Sequence, residues 1–439
     1  PLPPGPRGRL IPVARMLARP NQMFRRWRDR YGEPFMVTSP NGQVVEVWEP
    51  ATVRRVFTAD HDDFAVFSPD SIAILIGHRS LLTIAGPTHR RERKLLGPPF
   101  HGARMRAYGE AMIELTRARI AELDAGSSFV AMDLTQGISL DVILRTVFGV
   151  DDARELDVYR TVVIEAIESA APVLFFFPAL RREFGGVGPY ARLVARQRRF
   201  VDLLKGQIER VRPQASERAD ILSMMLEARY EDGEPMSDES LVDELRTLLL
   251  AGHETTAITL AWALYLVHRH PAVYHRLREE LDGLGESPTP EAIAHLPYLD
   301  AVVNESLRLH PVVQEVMRTL TKPFELGAYT LPPGVTIAVN IFLAHRRTEL
   351  FPEPEEFRPE RFLDRTFSPF EYMPFGGGPR RCLGAAFALY EMKLVLATLL
   401  GDLELDLASE GPVEPVRRNL TMAPRGGVPL RVVRRRRPA

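Results

Sequence analysis

The sequence predicts a mainly α-helical protein with a smaller β portion. Three observations carry that expectation. Helical periodicity dominates from about residue 60 to residue 310. Two runs, FMVTSPNGQVVEVWEP and FELGAYTLPPGVTIAVN, read instead as strands broken by turns. The run LGAAFALYEMKLVLATLL after residue 382 is apolar nearly all round, with only Glu391 and Lys393 charged, which marks a buried helix.

The first strand pair turns on a Pro-Asn-Gly sequence. The segment LVDELRTLLLAGHETTAITLAWALYLV, roughly residues 240–267, is a long apolar helix carrying polar residues at its middle. The helix in NESLRLHP stops before Pro311, whose ring disfavours helical backbone in the preceding residue. In the second β run, Pro332-Pro333-Gly334 makes the turn. Residues 344–381 form a Pro-rich stretch with little periodicity, and a loop that long inside a compact domain is usually functional. The β-rich parts are expected near 35–50, 320–342 and 401–433, and the helical bulk at 60–310 and 383–400. Length alone suggests two or three domains, but the chain has no repeat and no low-complexity linker, so residues 1–439 are read as one domain.

Lys and Arg number 56 against 57 Asp and Glu, a net charge of −1, so nothing global recommends a nucleic-acid partner. The terminal RRRRPA reads as a solvated tail. A single cysteine argues for a reducing compartment and against a disulfide framework, and the expected location is cytoplasmic. No run approaches the ~20 apolar residues that span a bilayer. The opening PLPPGPRGRL has no signal-peptide core. It starts on proline rather than methionine, which leaves a preceding segment, a membrane anchor included, open.

The lone Cys382 sits in GGGPRRCLGA, between a glycine loop and the first turn of the buried helix. Helix N-termini carry partial positive charge and free N–H groups, which favour thiolate over thiol. The glycines let backbone come close to something flat or bulky, and Arg380 and Arg381 suit an anionic cofactor. Two readings stand at this point: a thiolate ligand, or a buried structural cysteine.

The pattern Phe375-x-x-Gly378-x-Arg380-x-Cys382-x-Gly384 resembles the haem-binding loop of the cytochrome P450 family. The resemblance implies haem b (iron protoporphyrin IX), with Cys382 as its proximal iron ligand and Phe375, Gly376, Arg380 and Gly384 around it. A thiolate ligand pushes electron density onto iron and favours O–O cleavage. AGHETT resembles the family's oxygen-activation motif. It implies that Thr255 hydrogen-bonds the dioxygen-derived ligand, while Glu254 relays protons; Ala251, whose carbonyl lies four residues before Thr255, borders the same groove. His253 receives no role. Glu305 and Arg308 in NESLRLHP, with Arg361 of PERF, are similar to the family's Glu-x-x-Arg and its arginine partner. They imply an ionic latch that holds the cysteine loop against the core. His89 and Arg93, four apart on one helix face, join Arg318 and Arg380 as candidates for the haem propionates. The resemblance covers roughly residues 85–400 in the family's order, with no departure at a motif position.

Arg90, Arg91 and Lys94 are expected to stay exposed as a basic patch for an acidic electron donor, a ferredoxin or flavodoxin with its NAD(P)H reductase. Ile74 and Leu75 lie where the family's substrate-recognition loop falls, and Val312 and Val313 resemble residues flanking the haem pocket. With Ala251 and Thr255 these outline a pocket for an apolar small molecule. The stretch APVLFFFPAL at 171–180 reads as an access channel, a membrane contact or core filler. The expected activity is insertion of one atom of O2 into a fatty acid, terpenoid, steroid or polyketide-like substrate. Three rivals remain: a peroxygenase or rearrangement enzyme on the same fold, a non-catalytic haem sensor or carrier, and an α-helical scaffold without haem.

Overall fold

The computed structural model of the chain describes residues 2–39, 41–100, 103–169, 174, 181–182, 185–285 and 288–436. These fall into two compact units, each discontinuous in sequence. Unit 1 comprises Pro1–Phe67, Thr116–Thr135 and Thr255–Ala439; unit 2 comprises Ser68–Leu115 and Gln136–Glu254.

All twelve strands among the described residues belong to unit 1. They are β1 Phe35–Ser39, β2 Gly42–Val47, β3 Phe64–Ala65, β4 Ser128–Val130, β5 Glu315–Leu320, β6 Phe324–Leu326, β7 Tyr329–Leu331, β8 Thr336–Asn340, β9 Leu403–Leu407, β10 Pro415–Arg418, β11 Thr421–Pro424 and β12 Pro429–Arg435. The main sheet runs β1-β2-β8-β5-β3, with β2 and β8 parallel and the remaining pairs antiparallel. The expected first hairpin is present, with Phe35 opposite Glu46 and Ser39 opposite Gly42. The second β run differs from expectation. Pro332-Pro333-Gly334 does not join two halves of one hairpin; β6 pairs with β7 around Gly327, whereas β8 passes to the main sheet between β2 and β5. Every residue of β8 is buried, and a strand flanked by partners on both edges stabilises that apolar run better than an edge position would.

The sheet covers a core that includes Phe24, Trp27, Phe35, Phe57, Ile337 and Phe342. The apolar run after the cysteine is the helix Ala385–Asp402, with residues 394–400 all buried. Lys393, one of its two charges, donates to Asp300 at 3.1 Å. Residues 344–381 are irregular, as their composition predicts, apart from short turns such as Arg361–Asp364 and Gly378–Arg380.

Unit 2 is helical. Its elements include Pro69–Ile76, Gly86–Leu96, Ala153–Glu168, Pro189–Val211 and Ile221–Glu227. The long helix spans Asp238–Arg269, and the division between units falls inside it, between Glu254 and Thr255. It continues unbroken through Gly252–Thr256. A side chain at Gly252 would bring Cβ within 2.9 Å of Ile143 Cδ1, so close helix packing accounts for a glycine that costs about 0.5–1 kcal/mol mid-helix. Apart from Leu174, the stretch 171–180 lies outside the described residues.

Candidate active site

In unit 1 the cysteine loop is fixed from both sides. Gly376 and Gly378 have φ of +66° and +64°, conformations that L side chains resist. The Cys382 amide donates to the Phe375 carbonyl at 2.9 Å and so closes the loop. Cys382 itself is exposed, three residues before Ala385, and Gly384 caps the helix that follows. The sequence leaves open what the glycines approach. One such group is Phe57, at the end of the helix Pro50–Thr58: a Cβ on Gly377 would stand 2.2 Å from its ring, and one on Gly378 2.3 Å from its carbonyl oxygen.

Arg318 faces inward from β5 and is 6% exposed. It donates to the carbonyls of Gly377 at 2.6 Å and Val56 at 3.2 Å, with its guanidinium 5.2 Å from the Phe57 ring. Burial, reinforced by neighbouring Arg380, pulls its pKa down to about 10. Phe57 and Val56 escape sequence reasoning because their apolar spacing is that of any core-facing helix.

The predicted latch is assembled. Arg308 grips Glu305 with two parallel bonds of 2.7 and 2.8 Å, and both side chains are fully buried. Arg361 Nε reaches Glu305 at 3.3 Å, and the Arg358 amide donates to the same carboxylate at 3.0 Å. The remaining Arg308 donors hold the carbonyls of His345, Pro354 and Glu356. The cluster therefore clamps the irregular 345–361 segment. Its reach to the cysteine loop runs through His345, whose Nε2 accepts from the Met373 amide at 2.9 Å, and through Tyr372, whose hydroxyl donates to the Asn304 carbonyl at 2.9 Å. Burial and the nearby Arg308 and Arg346 hold the His345 pKa well below its usual value, so the ring is neutral and Nε2 is free to accept. No sequence motif marks His345 or Tyr372.

Along the long helix, Ala251 is exposed and Thr255 half-buried, whereas His253, Glu254 and residues 256–266 are buried. Residues four apart share a helix face, so Ala251 and Thr255 lie on one side of the helix. Val312 is buried and Val313 is 37% exposed. In unit 2, His89 is 2% exposed and Arg93 half-buried on the helix Gly86–Leu96. Ile74 and Leu75 pack on a small cluster of Leu174 and Leu193.

The basic patch needs correction. Arg90, Arg91 and Lys94 are exposed as expected, but Arg91 bonds Asp232 at 2.7 Å and Lys94 bonds Glu231. The turn bearing these acids lies about 140 positions further along the chain, beyond the reach of local reading, and it cancels much of the patch's charge.

Buried charges are normally paired. Arg318 is a buried cation whose described hydrogen-bond partners are both carbonyls, and its charged neighbour Arg380 has the same sign. The pair is electrostatically complementary to an anionic cofactor, next to a loop that presents one exposed thiol. These residues fit haem with its propionates and a sulfur-ligated iron. Fold and loop together define a haem-thiolate oxidoreductase.

The cytochrome P450 family profile matches residues 2–430, and the chain belongs to the cytochrome P450 family. It is 35% identical to cytochrome P450 138 of Mycobacterium tuberculosis, over 99% of this chain and 97% of that protein. It is also 35% identical to cytochrome P450 135B1 of the same species, over 98% and 91%. Among solved structures it resembles cyanobacterial CYP120A1 with bound retinoic acid, with TM-score 0.86 and 25% identity over 98% of this chain and 99% of that one. It likewise resembles the haem domain of cytochrome P450DA, with TM-score 0.88 and 25% identity over 100% and 98%. The protein is a P450 monooxygenase that binds haem and uses O2, an organic substrate and a redox partner. Among the described residues no helix is long and apolar enough to cross a membrane.

Proposed function

We propose that the chain acts as one P450 domain that oxygenates an apolar organic substrate with electrons from a ferredoxin- or flavodoxin-type donor. The observation that carries the site assignment is the buried, carboxylate-free Arg318 on the cysteine loop. Haem, when bound, supplies the two-electron activation of dioxygen, and the protein supplies position, protons and exclusion of water. Cys382 Sγ would hold the iron. Arg318 and Arg380, with His89 and Arg93, would neutralise the propionates, and Phe375, Gly376 and Gly384 would shape the loop around the thiolate. Glu305, Arg308 and Arg361 keep the polypeptide leading to that loop in register.

Thr255 Oγ1 donates a proton toward dioxygen, and the Glu254 carboxyl restores it. The accessible face shared by Ala251 and Thr255 supports this assignment. Ile74, Leu75, Val312 and Val313 supply apolar walls, which favour a substrate with few polar groups. The likeness to a protein solved with retinoic acid, a largely apolar molecule, points the same way. Arg381, exposed beside Cys382, is a basic residue suited to attract an acidic donor.

The test is turnover of an apolar substrate panel with donor, reductase and O2, against turnover with hydrogen peroxide alone. Donor-driven product, with Thr255→Ala diverting electrons to peroxide, supports the reading. Product with peroxide alone, unchanged in Thr255→Ala, overturns it in favour of a peroxygenase.

A further inference from the structure

Residues 1–28 contain seven arginines and no acid. In a protein of net charge −1 this is a pronounced local excess. Residues 2–9 and the helices Ile11–Ala18 and Pro20–Tyr31 gather it on one surface. Their inner sides pack into the core through Met23, Phe24 and Trp27. Their outer sides expose Arg7, Arg9, Arg15, Arg19, Arg26 and Arg30. Other arginines of the region are paired, Arg25 with Glu355 and Arg28 with Asp29, but no ion pair joins any of these six to a described residue.

Arg7, Arg15, Arg26 and Arg30 line a groove of about 690 Å³ whose walls include Trp27 and Tyr31. Ile11 lines it too, and Ile11 and its neighbour Leu10 are 67% and 69% exposed. They stand among the most exposed large apolar residues described in the protein. Two adjacent aliphatic side chains held out to water next to several exposed arginines match the chemistry of an interface between apolar chains and anionic headgroups.

We propose that this N-terminal surface docks on an anionic lipid bilayer, with Leu10 and Ile11 entering the acyl boundary and the arginines meeting headgroup phosphates. Charge complementarity singles out the lipid, and the aliphatic tip distinguishes a bilayer from an acidic protein.

The experiment is co-sedimentation of the holoprotein with phosphatidylglycerol-containing vesicles and with pure phosphatidylcholine vesicles. Binding is expected to the anionic vesicles only. It should weaken about fivefold for each of Arg15→Gln and Arg26→Gln, and fall at high salt. Leu10→Ser/Ile11→Ser should weaken it further, with the reduced carbon-monoxide spectrum unchanged as a check on folding. Absence of vesicle binding overturns the proposal. So does binding that ignores Leu10→Ser/Ile11→Ser and is abolished by glycerol phosphate or an acidic polypeptide, which would mark a soluble-anion or protein site.

Discussion

Arg318 donates to the Gly377 carbonyl across 2.6 Å and, on its other side, to the Val56 carbonyl, so one buried guanidinium ties the cysteine loop to the helix Pro50–Thr58. Arg318→Ala leaves two buried carbonyls unpaired, at about 1–3 kcal/mol each. The variant should purify with less haem and a lower melting temperature. Arg318→Lys should recover only part of both, because an ammonium lacks the planar fork that reaches two acceptors at once. Haem content per chain and thermal melts measure this; wild-type haem content in Arg318→Ala would exclude the role.

Glu305 is the shared acceptor for two arginines in a fully buried cluster. Glu305→Gln keeps the shape but leaves Arg308 without its countercharge, a loss of about 3–5 kcal/mol. Urea denaturation should show it as a lowered midpoint, and the irregular 345–361 segment should become the first site of limited proteolysis. A stability within about 1 kcal/mol of wild type would remove the latch from the account.

The Gly377 and Phe57 contact predicts an interaction readable by a double-mutant cycle. Gly377→Ala drives a methyl group into the Phe57 ring and should cost about 1–3 kcal/mol. Phe57→Ala opens a cavity and costs about 3–5 kcal/mol alone. The double variant should lose less than the sum, because the added methyl occupies space that the missing ring leaves. Additivity would mean that the loop relaxes without feeling the ring.

In unit 2, Glu244 is 1% exposed and accepts from the Leu81 amide, and burial raises its pKa to about 8. A carboxyl whose folded pKa lies above its unfolded value contributes stability below the unfolded value of about 4.3, and loses it as pH rises through the folded one. Glu244→Gln retains an acceptor for Leu81 and does not titrate. The melting temperature of the variant minus that of wild type should therefore climb from about pH 5 to about pH 8 and level off above. A flat difference across that window would show that Glu244 stays ionised in the fold.

Much of the candidate site was legible before any coordinate. The cysteine loop, the Glu-x-x-Arg pair, its arginine partner and the acid–alcohol pair are local patterns whose chemistry depends on residue type and spacing, and the long irregular segment announced itself by its prolines. The helix after Cys382 followed from apolar residues on every face. The bilayer-facing surface was half legible: the arginine excess is in the sequence, but the exposure of Leu10 and Ile11 is not.

What the tertiary structure alone decided are the partnerships. Sequence named Arg318 as a candidate for the propionates, but only folding brought it to Val56, 262 positions away. Folding likewise sent β8 between β2 and β5 rather than onto β7, and set Asp232 and Glu231 against the basic helix. Helix periodicity and turn chemistry are settled among near neighbours along the chain. Strand pairing and buried contacts are settled by which distant surfaces exclude water and satisfy buried polar groups together, a sum over the whole molecule that no single stretch contains.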